Sequence, residues 1–153
     1  MSNKFFTDED LRVTTKKLVQ RMSEVGYRPD AIVGMVRGGA PVAVLLSHFY
    51  NIPCYCFNKT EDMRGLVNTL DQYGSGRPIK HVLVVDDIND TGATLEEFHL
   101  QAQTFIDLDC DFSYAVLVDN VGSTFKVDFA GMVIDKNNDP CWIVFVPWEM
   151  WWD

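Results

Sequence analysis

The residues with the clearest chemical character form one stretch, Asp86-Asp87-Ile88-Asn89-Asp90-Thr91-Gly92-Ala93-Thr94. An apolar run, His81-Val82-Leu83-Val84-Val85, precedes it and predicts a buried strand. The two adjacent carboxylates offer hard oxygen ligands to ribose hydroxyls or to Mg²⁺. A short polar loop leads into a helical pattern that opens at Thr94, and the N-terminus of a helix can hold a phosphate through its amides and its positive dipole end. This order predicts a site for a phosphorylated sugar that carries Mg²⁺.

Strands and helices that alternate along the chain must position this stretch. Thr7 followed by Asp10 predicts the capped start of a first helix, which Gly26 ends. The alternation predicts an α/β fold with a central, mainly parallel sheet flanked by helices, in a single domain over residues 1–153. Further strands are predicted over residues 31–36, 53–57, 112–118 and 129–134, and further helices from residue 41 to about 49 and from 94 to about 108.

The connection over residues 58–80 differs in character from its surroundings. It is polar, contains Gly65, Gly74, Gly76 and Pro78, and shows no sustained period. Connections of this length inside a compact domain are usually functional or mobile, so we expect a loop here that takes part in function.

Composition narrows the class of protein. The chain has 153 residues, of which 47% are hydrophobic and 23% charged, as in an ordinary globular domain. The net charge of −9 argues against a nucleic-acid partner, which would favour a basic face. No apolar run approaches the roughly 20 residues of a membrane span, and the first residues show no secretion signal. The four cysteines show no CxxC spacing, so we expect free thiols in a reducing cytoplasm.

The stretch of residues 84–94 resembles the phosphoribosyl-pyrophosphate (PRPP) signature of type I phosphoribosyltransferases over its whole length. The resemblance implies that Asp86 and Asp87 approach the ribose hydroxyls and the metal. It implies that the loop of Asp90, Thr91, Gly92, Ala93 and Thr94 holds the 5′-phosphate. Asp90 is then also the candidate general base, placed near the N7 proton of a purine. The family's fold adds a small hood built from the terminal segments and a mobile lid, which residues 58–80 would form.

Two further segments match the same family. Arg37-Gly38-Gly39 follows a predicted strand and resembles the loop that binds pyrophosphate, in which amides and an arginine hold the leaving group. The resemblance implies a nonproline cis peptide bond near Val36–Arg37. In the lid, Arg64 lies where bacterial xanthine–guanine enzymes carry an arginine that contacts pyrophosphate.

The aromatic C-terminal segment also carries the resemblance. Trp142-Ile143 followed by Pro147-Trp148-Glu149 is similar to the end of xanthine–guanine phosphoribosyltransferases. There the tryptophan stacks on the purine and the isoleucine backbone contacts its edge, so Trp142 and Ile143 are predicted to bind the base. Type I enzymes are usually dimers or tetramers, so a homo-oligomer is expected by analogy.

The sequence departs from the family at Asp119. Purine phosphoribosyltransferases carry a lysine there, which donates a hydrogen bond to the 6-oxo group of the base. An ionised aspartate only accepts hydrogen bonds. Two interpretations remain open: the base carries an amino group at this point, or another donor, Asn120 or Lys126, replaces the lysine. The resemblance places Asp119 among the residues predicted to bind the base.

The resemblance implies a Mg²⁺-dependent enzyme that transfers the phosphoribosyl group of PRPP to a purine base similar to guanine, xanthine or hypoxanthine and releases pyrophosphate. Three alternatives stay open. A regulatory protein on the same fold would bind PRPP or nucleotides without turnover. A hydrolase would release pyrophosphate from PRPP with no base present, and a related transferase would accept adenine or a pyrimidine. Neither nucleic acid nor membrane is an expected partner.

Overall fold

The computed structural model of the chain describes residues 3–59, 61–72, 78–104, 110–140 and 142–145. Within these ranges strands and helices alternate as the sequence predicts. The strands are β1 (Asn3–Phe6), β2 (Ala31–Met35), β3 (Cys54–Phe57), β4 (His81–Asn89), β5 (Asp111–Asn120), β6 (Phe129–Ile134) and β7 (Trp142–Phe145). The helices are α1 (Asp8–Glu24), α2 (Ala40–Tyr50), α3 (Met63–Gln72) and α4 (Ala93–Gln103).

Five strands form one sheet in the order β3-β2-β4-β5-β6, and each neighbouring pair is parallel. The apolar run of β2 is buried at all of its positions, as expected for a strand that is covered on both faces. From β2 the chain passes to β3 on one side of the sheet, whereas β4 lies on the other side. The carboxyl ends of β2 and β4 therefore border the crevice where open α/β sheets bind ligands.

Alternate side chains of the strands build two cores, one on each face of the sheet. Leu83 and Val85 belong to the core that α1 and α2 cover, and Val82 and Val84 belong to the core that α3 and α4 cover. This two-residue period is the ordinary consequence of strand geometry. A sheet that is buried on both faces offers its ends to ligands, so the site is expected at the carboxyl edge.

Helix α1 begins as the sequence predicts. Thr7 and Asp10 form a capping box, in which each side chain accepts a hydrogen bond from the other residue's backbone amide. The helix ends at Glu24, and Gly26 follows with a positive φ of 71°. Glycine adopts this left-handed conformation without steric cost.

The terminal segments form the small hood that the resemblance implied. Strand β1 pairs in parallel with β7 in a separate two-stranded sheet, with Lys4 opposite Ile143. The sequence predicted neither β1 nor β7 as a strand. Each has four residues, too few to show a period of two, and the pairing between opposite ends of the chain is not visible locally.

The prediction of a loop throughout residues 58–80 is wrong for its central part. Helix α3 occupies Met63–Gln72, and Met63, Leu66 and Leu70 are buried against the sheet. These positions lie three and four residues apart, which is the period of an amphipathic helix. Gly65 and the polar residues on both sides obscured this short stripe.

Two predicted boundaries also change. Strand β4 continues beyond Val85 to Asn89, because the pairing with β5 extends to Asn89 opposite Asp119. Helix α4 begins at Ala93 and ends at Gln103. The predicted end near residue 108 lies outside the described residues.

No helix in the described part of the chain combines the length and the apolar character needed to cross a membrane.

Helix α1 packs on β6 at Gly131, which provides a test of the fold. A Cβ atom at Gly131 would lie 2.2 Å from Cγ2 of Thr14 and 2.9 Å from the carbonyl oxygen of Leu117. Gly131→Ala should therefore lower the free energy of unfolding by about 1–3 kcal/mol, measured by urea denaturation. Gly65→Ala is the matched control, since nothing lies within 4 Å of its Cβ position, and it should stabilise α3 by up to about 1 kcal/mol. Equal stability of the Gly131 variant and the wild type would contradict this packing.

Candidate active site

Most of the predicted site residues lie at the carboxyl edge of the five-stranded sheet. Four loops, which follow β2, β4, β5 and β6, form this edge. The loop after β2 contains the arginine and two glycines, and the loop after β4 leads into α4. Residues 121–125, which follow β5, contact the loop after β4, and residues 135–139 follow β6. We call this region the carboxyl edge.

The loop after β2 packs directly on the acidic pair. A Cβ atom at Gly38 would lie 2.3 Å from Oδ2 of Asp87, so only glycine fits there. At Gly39 a Cβ atom would lie 2.4 Å from the carbonyl oxygen of Val85. The Val36–Arg37 peptide bond is cis, which confirms the expectation from the resemblance. The side chain of Arg37, in the same loop, is exposed to solvent.

The two carboxylates are held by local hydrogen bonds. Oδ1 of Asp86 accepts from the amide of Asp87 at 2.9 Å, and Oδ1 of Asp87 accepts from the amide of Ile88 at 2.7 Å. Asp87 is only 6% exposed, whereas Asp86 is half-buried. Backbone amides are suitable donors to carboxylate oxygens, so these local hydrogen bonds restrict both side chains near the carboxyl end of β4.

The loop after β4 leads into the N-terminus of α4. Gly92 caps α4 with a φ of 95°, and no side chain caps the helix. The first amides of an α-helix have no partner within the helix. In α4 the amide of Ala93 donates to the hydroxyl of Thr91 at 3.3 Å. Ala93 is exposed and Thr94 is partly buried. This arrangement can bind an anion through its amides.

The loop after β5 supports the phosphate loop from one side. The amide and the hydroxyl of Thr124 both donate to the carbonyl oxygen of Thr91, at 2.9 and 3.0 Å. A Cβ atom at Gly92 would lie 2.6 Å from the amide nitrogen of Phe125. Gly92 is therefore required both by its conformation and by the close approach of a second loop.

Tyr114 lies under this supporting loop. Its ring contacts that of Phe125 at a centroid distance of 4.9 Å, and its hydroxyl pairs with Nδ1 of His99 at 2.9 Å. Burial, assisted by the charge of Asp128, raises the pKa of the Tyr114 phenol above its usual value. The neutral phenol thus joins α4 to the loop after β5 throughout the physiological pH range.

Asp90, the predicted general base, belongs to a network that joins three strand ends. Its Oδ2 atom accepts from Nζ of Lys136 at 2.9 Å, and its carbonyl oxygen accepts from Nδ2 of Asn120 at 3.0 Å. The backbone amide of Lys136 donates to Oδ1 of Asn120 at 3.2 Å. The side chains of Asp90 and Lys136 are 31% and 20% exposed, so part of this pair faces the solvent.

Asp119 is joined to the same edge by a different contact. Its Oδ1 atom accepts from Nδ2 of Asn89 at 2.9 Å, and the same amide group donates to the carbonyl oxygen of Phe125 at 2.8 Å. Asn89 is 2% exposed. The Asp119 carboxylate therefore has a structural partner in the strand beside it.

Three other predicted residues lie away from this cluster or contribute only their backbone. Arg64 lies in the first turn of α3, is exposed, and pairs with Asp62 at 3.6 Å. The side chain of Ile143 is 7% exposed in the core, so its backbone is the part left for a ligand. The backbone of Trp142 lies in β7, and its side chain lies outside the described part of the structure.

Sequence reasoning missed Lys136 and Asn89. Lys136 lies in the polar segment Asp135-Lys136-Asn137-Asn138-Asp139 directly after β6. Its position after a strand of a parallel sheet was the available signal, because such strand ends meet at one edge. Asn89 gave no signal, since its partner lies 30 residues further along the chain.

The carboxyl edge offers few ligands for a metal ion by itself. Among the described residues no group of three or more His, Cys, Asp and Glu side chains could hold a metal. Mg²⁺ is often bound by one or two carboxylates together with the phosphates of a substrate. Asp86 and Asp87, which are consecutive residues near the carboxyl end of β4, are the candidate protein ligands in this second arrangement.

Comparison with known proteins identifies the family. Residues 8–148 match the family model described as the phosphoribosyl transferase domain. The chain belongs to this family. Its central parallel sheet with flanking helices is the type I phosphoribosyltransferase fold. None of the curated proteins compared with the chain matches it in sequence.

Three solved structures that resemble this chain each cover nearly all of it. The Helicobacter pylori xanthine-guanine-hypoxanthine phosphoribosyltransferase has 22% identity and a TM-score of 0.72, over 97% of this chain and 93% of its own. A purine phosphoribosyltransferase from Pyrococcus horikoshii has 26% identity and a TM-score of 0.72, over 100% and 97%. A Neisseria gonorrhoeae protein solved with bound ppGpp has 23% identity and a TM-score of 0.71, over 98% and 91%.

The contact between Asn89 and Asp119 can be tested by Asn89→Asp. The substitution removes the donor and buries a second carboxyl beside Asp119, so it should lower the free energy of unfolding at pH 7 by about 3 kcal/mol. Burial raises the pKa of the introduced carboxyl above its value in the unfolded chain. The variant is therefore most stable below the pKa that this carboxyl group has in the unfolded chain. Its free energy of unfolding falls as the pH rises from there through the higher pKa of the folded state.

Thermal unfolding at pH 5 and pH 7 measures this effect, and the defect should be smaller at pH 5. Asn68→Asp, on the exposed side of α3, is the control and should change stability little at either pH. A defect of the Asn89 variant that does not depend on pH would contradict the carboxyl pair.

Proposed function

We propose that the protein transfers the 5-phosphoribosyl group of PRPP to a purine base of the guanine, xanthine or hypoxanthine type, with Mg²⁺, and releases pyrophosphate. The observation that supports this most directly is the contact of Gly38 with the Asp87 carboxylate. It joins the loop proposed for pyrophosphate to the acidic pair proposed for ribose, beside a helix N-terminus suited to phosphate. The pyrophosphate, ribose and 5′-phosphate groups of PRPP would then each have a proposed partner along one edge.

In the proposed reaction a ring nitrogen of the base attacks the anomeric carbon of the ribose as the bond to pyrophosphate breaks. Arg37 and the amides of Gly38 and Gly39 hold the leaving group and balance the negative charge that grows on it. Asp86 and Asp87 bind the ribose hydroxyls, and their charge stabilises the positive character of the sugar ring. Asp90 accepts the proton that the base loses.

The 5′-phosphate is held by the loop of Asp90, Thr91, Gly92, Ala93 and Thr94. Its amides and the two threonine hydroxyls are the donors, and the dipole of α4 favours the negative charge. When bound, Mg²⁺ would act as a Lewis acid on the pyrophosphate oxygens, and Asp86 and Asp87 are its proposed protein ligands.

The base is proposed to lie between the carboxyl edge and the hood, against Trp142 and the backbone of Ile143, with Asp119 nearby. Stacking of a base on an aromatic side chain contributes roughly 1–3 kcal/mol. Arg64 is proposed to reach pyrophosphate from α3. We infer a homo-oligomer, a dimer or a tetramer, in the cytoplasm, in nucleotide salvage.

A second candidate function is the binding of PRPP or a nucleotide for regulation, without turnover. It is favoured by the structural similarity to the N. gonorrhoeae protein that was solved with bound ppGpp. The acidic residues Asp86, Asp87 and Asp90 favour the transferase, because a sensor has no need of a base that accepts a proton.

The deciding experiment mixes the protein, Mg²⁺ and PRPP with hypoxanthine, guanine, xanthine, adenine, uracil or orotate, and follows pyrophosphate release and nucleotide formation. Turnover of a 6-oxopurine supports the proposal, and turnover of only adenine or a pyrimidine contradicts the choice of base. Binding of PRPP or ppGpp by calorimetry without turnover of any base would favour the regulatory function. Pyrophosphate release in the absence of a base would instead indicate hydrolysis.

Asp90→Asn tests the proton acceptor. An amide of the same shape cannot take the proton, so kcat should fall by about 100-fold or more in a steady-state assay with the preferred base. Asp111→Asn, at the opposite end of the sheet, is the control and should keep the wild-type rate. Wild-type turnover by the Asp90 variant would show that another group accepts the proton.

Gly38→Ala tests the junction of the two loops. The added methyl group must displace the Asp87 carboxylate or the pyrophosphate loop, so kcat/KM for PRPP should fall by about 100-fold. Gly65→Ala, with open space around its Cβ position, controls for the substitution itself. Unchanged kinetics in the Gly38 variant would separate Asp87 from the binding of PRPP.

A further inference from the structure

The ion pair of Lys136 and Asp90 can also bind a ligand, an inference that rests on the proposed function. Nζ of Lys136 and Oδ2 of Asp90 lie 2.9 Å apart, and both side chains are partly exposed at the carboxyl edge. An ammonium group only donates hydrogen bonds and an ionised carboxylate only accepts them. The pair therefore presents a donor and an acceptor side by side to whatever lies over it.

The structure fixes this pair from the ends of three strands. Asn120, at the end of β5, donates from its amide to the carbonyl oxygen of Asp90 and accepts from the backbone amide of Lys136. The turn that carries Lys136 is closed by Asp135, which accepts from the amide of Asn137 at 3.1 Å and from the side chain of Asn138 at 2.6 Å. Such restraint limits the positions that the donor and the acceptor can take.

The ligand that matches this pair carries an N–H group next to a carbonyl group on one edge. A 6-oxopurine has both, because its N7 proton and its 6-oxo group are neighbours on the same edge. The N7 proton would face Asp90, and the oxygen would face Lys136. A 6-aminopurine presents a donor at both places, so its amino group would oppose the ammonium group of Lys136.

The other polar groups at this edge are less suited to the carbonyl oxygen. The Asp119 carboxylate cannot donate when ionised and already accepts from Asn89. The side-chain amide of Asn120 donates to the backbone of Asp90 at 3.0 Å. Lys126 is exposed in the segment between β5 and β6, and no contact described for it leads to Asp90.

We propose that Lys136 determines base specificity: it donates to the 6-oxo group of the purine while Asp90 receives the proton of the neighbouring nitrogen. The donor that the family resemblance led us to expect in β5 is then supplied from the end of β6. Lys136 is a specificity residue in this proposal, and it also positions the Asp90 carboxylate.

The test compares the wild type with Lys136→Met and Lys136→Arg, using hypoxanthine, guanine and adenine with PRPP and Mg²⁺. Loss of a hydrogen bond from a charged donor should lower kcat/KM for the two 6-oxopurines by about 10- to 100-fold in the Met variant. The value for adenine should stay the same or rise, because the opposing donor is gone. The Arg variant should keep the preference for 6-oxopurines, since it keeps a charged donor.

Two further measurements separate this role from a structural one. Lys80→Met makes the same change at the opposite end of β4 and should leave the ratio of 6-oxopurine to adenine turnover unchanged. Binding of GMP and AMP by calorimetry reports base preference without turnover, and Lys136→Met should weaken GMP binding more than AMP binding. A Met variant that merely misplaced Asp90 would lower kcat for all bases alike and leave the ratio intact.

Several outcomes would overturn the proposal. An unchanged ratio in Lys136→Met, or a wild type that prefers adenine, excludes Lys136 as the donor to a 6-oxo group while phosphoribosyl transfer itself stands. If no base is turned over, the proposed function fails, and the comparison of GMP with AMP then decides the role of Lys136 alone. Equal affinity of the wild type for GMP and AMP would contradict the proposed role of Lys136 in base specificity.

Discussion

The site depends on the close approach of two loops at the crevice between β2 and β4. The backbone of Gly38 lies so near the Asp87 carboxylate that a methyl group could not fit between them. The parallel pairing of β2 with β4 brings the two loops to the same edge, and the turn after β2 then places its amides against the acid. Asp87 is only 6% exposed, and the backbone at Gly38 restricts the positions that its carboxylate can take.

The charge of the molecule makes this local arrangement necessary. At a net charge of −9 the chain repels an anion such as PRPP at long range, so steering by the overall field cannot support binding. In the proposed function, the favourable potential would come from short-range groups: the amides at the start of α4, the guanidinium of Arg37 and a metal ion bound with the substrate. The carboxylates Asp86 and Asp87 would fit this scheme as ligands of the metal and as partners of a sugar ring that becomes positive.

Local sequence signals predicted the parts of the fold that depend on local patterns. The buried run of β2, the capping box at Thr7 and the signature in β4 were all recognisable from neighbouring residues. Strand β1 and helix α3 were missed, because one gains its stability from the far end of the chain and the other shows only a short stripe interrupted by Gly65. Arg37, Gly38 and Asp87 could be grouped in advance by the resemblance, but the contact between them required the sheet order.

Asp119, where the sequence departs from the family resemblance, lies among polar groups from three strand ends. The Asp119 carboxylate pairs with Asn89 of β4, and the cation beside Asp90 is Lys136, which follows β6. Asn120 links these groups, since its side-chain amide contacts the backbone of both Asp90 and Lys136. Asp119 considered alone would suggest that a hydrogen-bond donor is missing, whereas Lys136 is a donor at the same carboxyl edge. Polar groups from different strands lie together at this edge, so the donors and acceptors of such a site must be counted over the whole edge and not at one position in the sequence.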